Sequence, residues 1–279
     1  MKHYTIPFFI PHRGCPHKCV FCDQRSITGE NAAEGTSPED VAAKIKTYLA
    51  TIPWELSHVE VGFFGGSFTG IPYAEQRSLL ASAWEFMRSG KIKGIRLSTR
   101  PDLIDGEKLD ILLSGGVTRV ELGVQSMDGD VLEAARRGHS PEDVEFSSRL
   151  IIRSGLALTH QIMLGLQRST YEKELLTARK AVDLGATEAR IYPVVVVKGT
   201  ELAARWERGE YEPLGMEEAL ERAARLICFL EEAGVKVIRC GLHASEGLLS
   251  GGQLLAGPFH SAFGHFAREK AKKAAESAG

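Results

Sequence analysis

Three of the five cysteines lie within eight residues, at Cys15, Cys19 and Cys22 of the segment RGCPHKCVFC. Thiolates at this C-x3-C-x2-C spacing in one loop can supply three soft ligands to a compact cluster and leave one metal position open. A structural zinc site is the alternative, but zinc there takes four ligands, and the nearest further candidates are His12 and His17. The spacing therefore predicts an iron–sulfur cluster with one open iron.

The other two cysteines, Cys228 and Cys240, lie far along the chain in a predicted helix and a predicted strand. An odd number of cysteines in a chain of 279 residues fits a disulfide framework poorly. Free cysteine behaves as a small apolar residue in protein cores. We therefore interpret these two as core side chains.

The composition excludes several classes of protein. Hydrophobic residues make up 43% and charged residues 25%, and no apolar run is long enough to cross a bilayer, so neither a membrane protein nor a disordered chain is expected. The net charge of −2 lacks the overall basicity of many nucleic-acid-binding proteins, although it is compatible with a local basic groove. The N-terminal segment MKHYTIPFFIPHRG has no signal-peptide core, which indicates the cytoplasm.

The elements that must position these cysteines alternate along the chain. The predicted strands are YTIPFFI, HVEVGFFG, IKGIRLST, VTRVELGVQ, LALTHQIML, ATEARIYPVVVV and VKVIRCGL, each bounded by turn residues. Helical patterns separate them, and two of these begin with a capping serine and a proline, at Ser37 and Ser140. Functional residues are expected just after each strand, because ligands bind at the carboxyl ends of parallel strands.

Six or seven consecutive strand–helix units predict an α/β fold with a parallel sheet and right-handed crossovers. We expect a partial (β/α)6-type TIM barrel with outer helices, and a doubly wound open sheet is the alternative. Residues 1–250 are assigned to the barrel. Residues 251–279 are assigned to a C-terminal tail or extension, and whether it ends naturally or is truncated is left open.

The segment CPHKCVFC, directly after the first strand, resembles the hallmark C-x3-C-x-aromatic-C of the radical S-adenosylmethionine (SAM) enzymes, with Phe21 as the aromatic residue. The resemblance implies a [4Fe–4S] cluster on Cys15, Cys19 and Cys22. It further implies that SAM chelates the open iron and is cleaved reductively to methionine and a 5′-deoxyadenosyl radical. Sensitivity to oxygen and an electron donor of the flavodoxin or ferredoxin type are implied as well.

The second and third strands end in segments that match the family in order. In GFFGGSFTGIP the resemblance places Gly65, Gly66 and Ser67 at the loop that binds the methionine amino group, where glycine permits a close backbone approach. Taken alone, this segment is a glycine-rich turn and lacks the G-x-G-x-x-G pattern of dinucleotide sites. Ser98, in LSTRPD, occupies the position of a polar contact to the ribose or the methionine.

The segments GVQS and RRGHS resemble a stretch shared by the catalytic subunit of Elongator and the oxygen-independent coproporphyrinogen oxidases. The resemblance places Gln125 and Arg137 beside SAM, with the Arg137 guanidinium suited to the SAM carboxylate. If the resemblance is set aside, Arg136 and Arg137 are interpreted as the basic end of a helix. Glu121 and Gln125 are then polar strand residues whose hydrogen bonds are satisfied.

The fifth and sixth strands complete the match. HQIMLGL places Gln161 near the ribose, although Gln167 and Arg168 replace the family's usual Pro-Gly after it. In ARIYPVVVVKGTEL, which is taken as a single strand with its flanks, the adenine is expected beside Tyr192 and Pro193. A core aromatic is the alternative for Tyr192.

The residues expected nearest the substrate follow from the same resemblance. Tyr192 and Lys198 are the catalytic candidates, with Lys198 projecting from the strand end toward the substrate. The seventh strand adds Arg239 and His243 to the same mouth.

The resemblance extends from about residue 5 to 243 and is closest to the radical domain of the Elongator catalytic subunit. We expect no acetyltransferase domain, so the acetyl-coenzyme A reaction of that subunit is not expected to transfer. The prediction is a radical enzyme that abstracts hydrogen from an unidentified substrate, with a tRNA nucleoside and a small metabolite both left open. The alternative is a zinc- or cluster-stabilised binding or scaffold protein without turnover.

Overall fold

Strands rich in apolar and β-branched residues build the centre of the protein. The computed structural model describes residues 1–10, 12–23, 36–242, 246–249 and 252–278. Within these ranges the strands are β1 (Lys2–Ile10), β2 (Ser57–Gly65), β3 (Gly94–Thr99), β4 (Arg119–Gln125), β5 (Ala157–Leu164), β6 (Glu188–Pro193), β7 (Val196–Val197), β8 (Lys236–Cys240) and β9 (Leu254–Ala256). His243 lies outside the described residues.

Seven of these strands, β1 to β6 and β8, form one parallel sheet in the order of the chain. The sheet curls around a cavity that is lined by residues from all seven strands. The predicted partial TIM-type barrel is therefore confirmed, and β8 adds a seventh strand to the six of the basic pattern.

Helices cover the outer face of the sheet. They are α1 (Pro38–Leu49), α2 (Tyr73–Arg88), α3 (Gly106–Ser114), α4 (Gly129–Ala134), α5 (Pro141–Arg153), α6 (Tyr171–Asp183), α7 (Glu201–Glu207), α8 (Met216–Glu232), α9 (Glu246–Leu249) and α10 (Phe263–Ala278). The apolar faces of α1, α2, α3, α5, α6, α8 and α10 share one large core with the strands. Helices α4 and α7 pack in a second apolar cluster, and Leu248 of α9 packs in a third. Among the described helices, none is both long and apolar enough to cross a membrane.

Helices α1 and α5 begin where the serine–proline signals place them. Ser37 accepts a hydrogen bond from the backbone of Asp40, whose carboxylate accepts one from the backbone of Ser37. Ser140 and Asp143 form the same reciprocal pair at the start of α5. Each capping box satisfies backbone donors that the first helical turn leaves unpaired.

The valine run after β6 differs from the expectation of one continuous strand. Strand β6 ends at Pro193, and Val196–Val197 forms a separate strand, β7, which pairs antiparallel with β9. Val195 and Val197 pack in a small apolar cluster with Leu248 and also line the cavity. The valines therefore form a roof over one part of the cavity and do not continue the barrel wall.

The last helix, α10, packs along α8 and β8. Ala267 and Ala271 are buried in the main core, and the Cys228 thiol donates a hydrogen bond to the Ala271 carbonyl oxygen, with 3.6 Å between the sulfur and the oxygen. Cys228 and Cys240 both pack against that core, as expected. The division of the chain at residue 250 stays a prediction.

Candidate functional site

The cavity inside the curled sheet has a volume of about 770 Å³. It brings together most of the residues that the sequence singled out: Cys15, Phe21, Cys22, Gly65, Gly66, Ser67, Ser98, Gln125, Arg137, Gln161, Tyr192 and Pro193. Arg239 lines it as well. The volume lies in the upper part of the roughly 300–1,000 Å³ typical of small-molecule sites, so the cavity has room for SAM and part of a second molecule.

Lys198 does not lie where the sequence predicts it. Its side chain is exposed and is not among the residues that line the cavity. Its backbone N–H donates to the carbonyl oxygen of Gln253 at 2.8 Å, beyond the end of β7. The separate β7–β9 pairing places Lys198 away from the barrel wall, which is why its side chain does not project from the end of β6 into the cavity.

The cysteine loop, residues 12–23, follows β1 at one end of the cavity. The Cys15 sulfur lies 3.2 Å from the Ser67 hydroxyl, and the buried Cys19 sulfur accepts a hydrogen bond from Arg137 Nη1 at 3.0 Å. Burial, together with the nearby thiols of Cys19 and Cys15, raises the pKa of Cys22 to about 12. The three sulfurs therefore share one electrostatic environment.

This donor set matches the chemistry of an iron–sulfur cluster, which binds soft thiolates. The loop supplies three such groups beside a cavity, at Cys15, Cys19 and Cys22. Within the described ranges, no group of three or more His, Cys, Asp or Glu side chains is arranged to hold a single metal ion.

The glycine loop, residues 65–71, packs directly on the cysteine loop. The Gly66 and Ser67 backbone N–H groups donate to the carbonyl oxygens of Ile10 and Arg13, at 3.0 and 2.8 Å. A Cβ on Gly66 would collide with the Arg13 carbonyl oxygen. Gly66 thus admits the backbone of the cysteine loop, whereas the sequence analysis assigned that space to SAM.

This packing predicts the effect of Gly66→Ala. The new methyl group meets backbone atoms that cannot rotate away, so we expect a loss of about 1–3 kcal/mol in the free energy of unfolding, as for other overpacked sites. Gly106→Ala is the control, because a Cβ there meets no atom within 4 Å. Gly106 opens helix α3, so alanine should leave stability unchanged or raise it by up to about 1 kcal/mol. Urea unfolding measures both, and equal effects would contradict the packing argument.

Two guanidinium groups line the cavity beside the cysteine loop. Arg137 Nη2 donates to the Gly123 carbonyl oxygen at 2.7 Å, and its buried Nε has no hydrogen-bond partner among the described residues. Arg100 bonds to Asp102 at 2.9 Å and to the Arg137 carbonyl oxygen, while its Nη1 is buried and likewise unpaired within the described part of the chain. Unsatisfied buried donors are costly, so this wall is suited to an anionic group.

Arg100 was missed in the sequence, although it directly follows β3, where ligand contacts are expected. The neighbouring Arg136 differs sharply from Arg137. The side chain of Arg136 is 60% exposed and pairs with Glu201, whereas Arg137 is buried at 6% exposure. The distinction made between these two arginines therefore agrees with their placement.

Gln125 ends β4 in an unusual conformation. Its φ of 68° lies in the left-handed region that favours glycine. Its buried Oε1 lacks a hydrogen-bond partner among the residues described. Strained backbone is common at ligand sites, and Gln125 is among the residues that line the cavity.

The loop after β5 keeps its turn despite the Gln167–Arg168 replacement. Arg168 takes φ 66°, and the Ser169 N–H donates to the Leu166 carbonyl oxygen at 2.9 Å. These features are typical of a type II turn, whose third residue is usually glycine because φ is positive there. Gln161 on β5 donates to the Ser98 hydroxyl at 3.3 Å, so two expected ribose contacts are adjacent.

A largely buried ion-pair network lines the interior of the barrel, and of its members the sequence pointed only to Glu121. Glu121 is fully buried and accepts two hydrogen bonds from Arg190, at 2.8 and 2.9 Å. Arg96 bonds to Glu188 at 2.6 Å and lies 3.4 Å from both Glu60 and Glu121. We call Glu60, Glu121 and Glu188 the acidic floor.

The charges of the floor are stabilised by their partners. Although burial opposes it, the Arg96 and Arg119 guanidinium groups lower the pKa of Glu188. Burial also opposes the charge of Arg190, but Tyr192 and Glu121 outweigh it and raise the pKa of Arg190. The cavity interior is therefore charged and hydrogen-bonding.

Comparison with known proteins identifies the family. The model of the radical SAM superfamily matches residues 9–181, which include the cysteine loop and the glycine loop. The chain belongs to this superfamily. A second model, the radical SAM C-terminal domain, matches residues 186–273. The superfamily implies SAM and a [4Fe–4S] cluster as cofactors.

Among curated relatives, this radical SAM protein is 29% identical over 247 residues to the tRNA uridine(34) acetyltransferase of Methanocaldococcus infernus, covering 74% of this chain and 46% of the relative. It is 32% identical over 251 residues to an uncharacterized protein of Methanocaldococcus jannaschii, covering 85% and 74% of the two chains. The chain thus spans about half the length of the acetyltransferases that it matches.

Solved structures share the fold. The radical SAM protein superposes on Methanocaldococcus infernus Elp3 carrying an N-terminal deletion with a TM-score of 0.77 at 22% identity, covering 98% of this chain and 63% of the other. For the radical SAM coproporphyrinogen III oxidase of Escherichia coli the TM-score is 0.57 at 18% identity, with 84% and 52% covered. At these identities the likeness concerns the fold alone.

Proposed function

We propose that the protein is a radical SAM enzyme that abstracts hydrogen from a nucleoside of tRNA. One observation carries the proposal: a single cavity joins the three-thiol loop, two partly unpaired guanidinium groups and the polar inner face of the sheet. A cavity of this kind can hold SAM and the reacting part of a substrate together.

The cluster would be held by Cys15, Cys19 and Cys22. When bound, it supplies the electron that cleaves SAM reductively. The chain's own groups bind and orient SAM: Arg137 and Arg100 face its carboxylate, and their buried N–H groups gain partners.

The rest of SAM fits along the same wall. Gln161 and Ser98 offer an amide and a hydroxyl to the ribose, and Tyr192 and Pro193 border the adenine. The surrounding sheet and the valine roof cover part of the cavity, and this cover limits the access of water to a reactive radical. The substrate would enter beside Tyr192, the remaining candidate for direct contact with the reacting atoms.

Two facts favour tRNA over a neutral metabolite. The cavity is lined by more basic residues than acidic ones, although the net charge of the whole chain is −2. The acidic residues are those of the acidic floor, and the basic residues are Arg96, Arg100, Arg137, Arg190, Lys236, Arg239 and Arg268. Such a local field favours an anionic ligand. The relatives named as tRNA uridine(34) acetyltransferases and Elongator complex protein 3 point to the same class of substrate.

We expect tRNA to stimulate the formation of 5′-deoxyadenosine. The reaction needs a strong reductant, and we infer a flavodoxin- or ferredoxin-type donor, for which dithionite can substitute. The test is anaerobic reconstitution followed by chromatography of 5′-deoxyadenosine with and without unmodified tRNA. Loaded protein that forms no 5′-deoxyadenosine would support the scaffold alternative. Formation that tRNA does not change would contradict tRNA as the substrate.

A further inference from the structure

A β-bulge in β8 gives this strand an unusual inner face. Lys236 pairs with Glu188 and Val237 with Ala189, but the next partner of Arg190 is Arg239, so Ile238 is the extra residue. In a regular strand, residues 236 and 239 would point to opposite faces. The bulge restores both to the face of the sheet that lines the cavity.

A third cation joins them from α10. Arg268 also lines the cavity, and it is held in place by bonds to the Val237 carbonyl oxygen and to Glu231, the latter at 2.9 Å. We call Lys236, Arg239 and Arg268 the basic lip. Strand β8 is the last strand of the sheet, so the lip borders the open side of the curled sheet, opposite β1.

Charge is segregated within the cavity. The acidic floor lies on β2, β4 and β6, with Arg96 and Arg190 paired to it. The cations of the lip lie at the sheet edge, and Arg239 has Arg190 as its cross-strand neighbour. The charge of the cavity lining therefore changes from the paired acidic floor to the basic lip at the edge of the sheet.

We propose that the basic lip binds phosphodiester groups of the RNA strand whose nucleoside enters the barrel. This inference rests on the proposed function and adds the means of recognition. The base and ribose present N–H and O–H donors to the acidic floor, and the backbone stays at the edge.

The spacing of the lip suits a strand of nucleic acid. Three residues along a strand span about 10 Å at roughly 3.3 Å per residue, somewhat less across a bulge. Long lysine and arginine side chains at that separation can reach successive phosphates. Phosphate contacts of this kind position a nucleic acid without reading its sequence.

The decisive experiment compares Lys236→Gln/Arg239→Gln with Arg153→Gln. Arg153 is exposed on the outer surface at the end of α5 and does not line the cavity, so it controls for the loss of positive charge. Binding of fluorescently labelled tRNA to the reconstituted protein is measured by anisotropy at several salt concentrations. We expect the double variant to bind roughly tenfold more weakly and its salt slope to fall by about 1.4, at about 0.7 per phosphate. The control should match the wild type.

Two further measurements keep the result decisive. Lys236→Arg retains the charge and should retain the affinity, and thermal unfolding establishes that each variant is folded. Unchanged affinity in the folded double variant, equal loss in Arg153→Gln, or wild-type protein that does not bind tRNA would each overturn the basic lip. Wild-type protein that binds tRNA through the lip yet forms no 5′-deoxyadenosine would refute the proposed reaction alone.

Discussion

Replacement of Cys15, Cys19 or Cys22 by alanine should abolish both iron binding and SAM cleavage. The proposed cluster has one thiolate from each of these residues, and two thiolates leave a second iron without a protein ligand. Because the loop provides no replacement sulfur, each single substitution should have the full effect. The expected loss is complete rather than graded.

Cys228→Ala and Cys240→Ala are the matched controls. Both cysteines are free thiols packed against the main core, and neither lines the cavity. Iron and sulfide content, the visible absorption of the reconstituted protein and 5′-deoxyadenosine formation are the measurements. If either control variant loses its iron as completely as Cys15→Ala, the ligand assignment is wrong.

Arg137→Ala should weaken SAM binding by about 2–5 kcal/mol, the cost of removing one partner from a buried charge pair. Arg137 is buried beside the cysteine loop, and its Nε has no hydrogen-bond partner among the described residues, while Nη1 and Nη2 bond to the Cys19 sulfur and the Gly123 carbonyl oxygen. Arg136→Ala should change the affinity by no more than about 0.5 kcal/mol, as is usual for a surface residue. Lysine at position 137 should restore the affinity only in part, because one ammonium group cannot replace the several directed N–H donors of a guanidinium group, two of which already bond to the Cys19 sulfur and the Gly123 carbonyl oxygen.

Isothermal titration of anaerobic, reconstituted protein tests this contrast. Since Arg137 also donates to the Cys19 sulfur, iron content must be measured first, and only variants with full iron are compared. Equal losses of affinity for the two alanine variants, or a loss for Arg136→Ala alone, would show that the carboxylate contact has been assigned to the wrong residue.

Much of the fold could be predicted because its signals are local. Ser37 and Ser140 begin helices with capping boxes, and the seven parallel strands correspond to the seven apolar segments. Local signals failed at the valine run, where Val194 to Val197 have strong strand propensity in either sheet. Strand propensity does not identify the pairing partner of a strand, so neither the antiparallel β7–β9 pair nor the exposure of Lys198 could be predicted from the sequence.

In the candidate site, too, local motifs could be predicted from the sequence and long-range contacts could not. The cysteine spacing is a motif within eight residues, so it could be read directly. Arg96 and Arg190 lie in separate strands, and alternation shows which residues share a face without showing which face lines the cavity. The bulge at Ile238 is harder still, because it reverses the alternation of β8 and has no marker such as glycine or proline.

The contact between the cysteine loop and the glycine loop has a mechanical consequence. Gly14 and Gly70 meet backbone to backbone, and Gly66 lies against Arg13 in the same way, so at these contacts no side chain can yield when one of the loops moves. The two loops must shift together or not at all. Efforts to redirect the protein to new substrates should therefore leave residues 12–23 and 65–71 unchanged and diversify side chains that line the cavity elsewhere, such as Val197, Arg239 and Arg268.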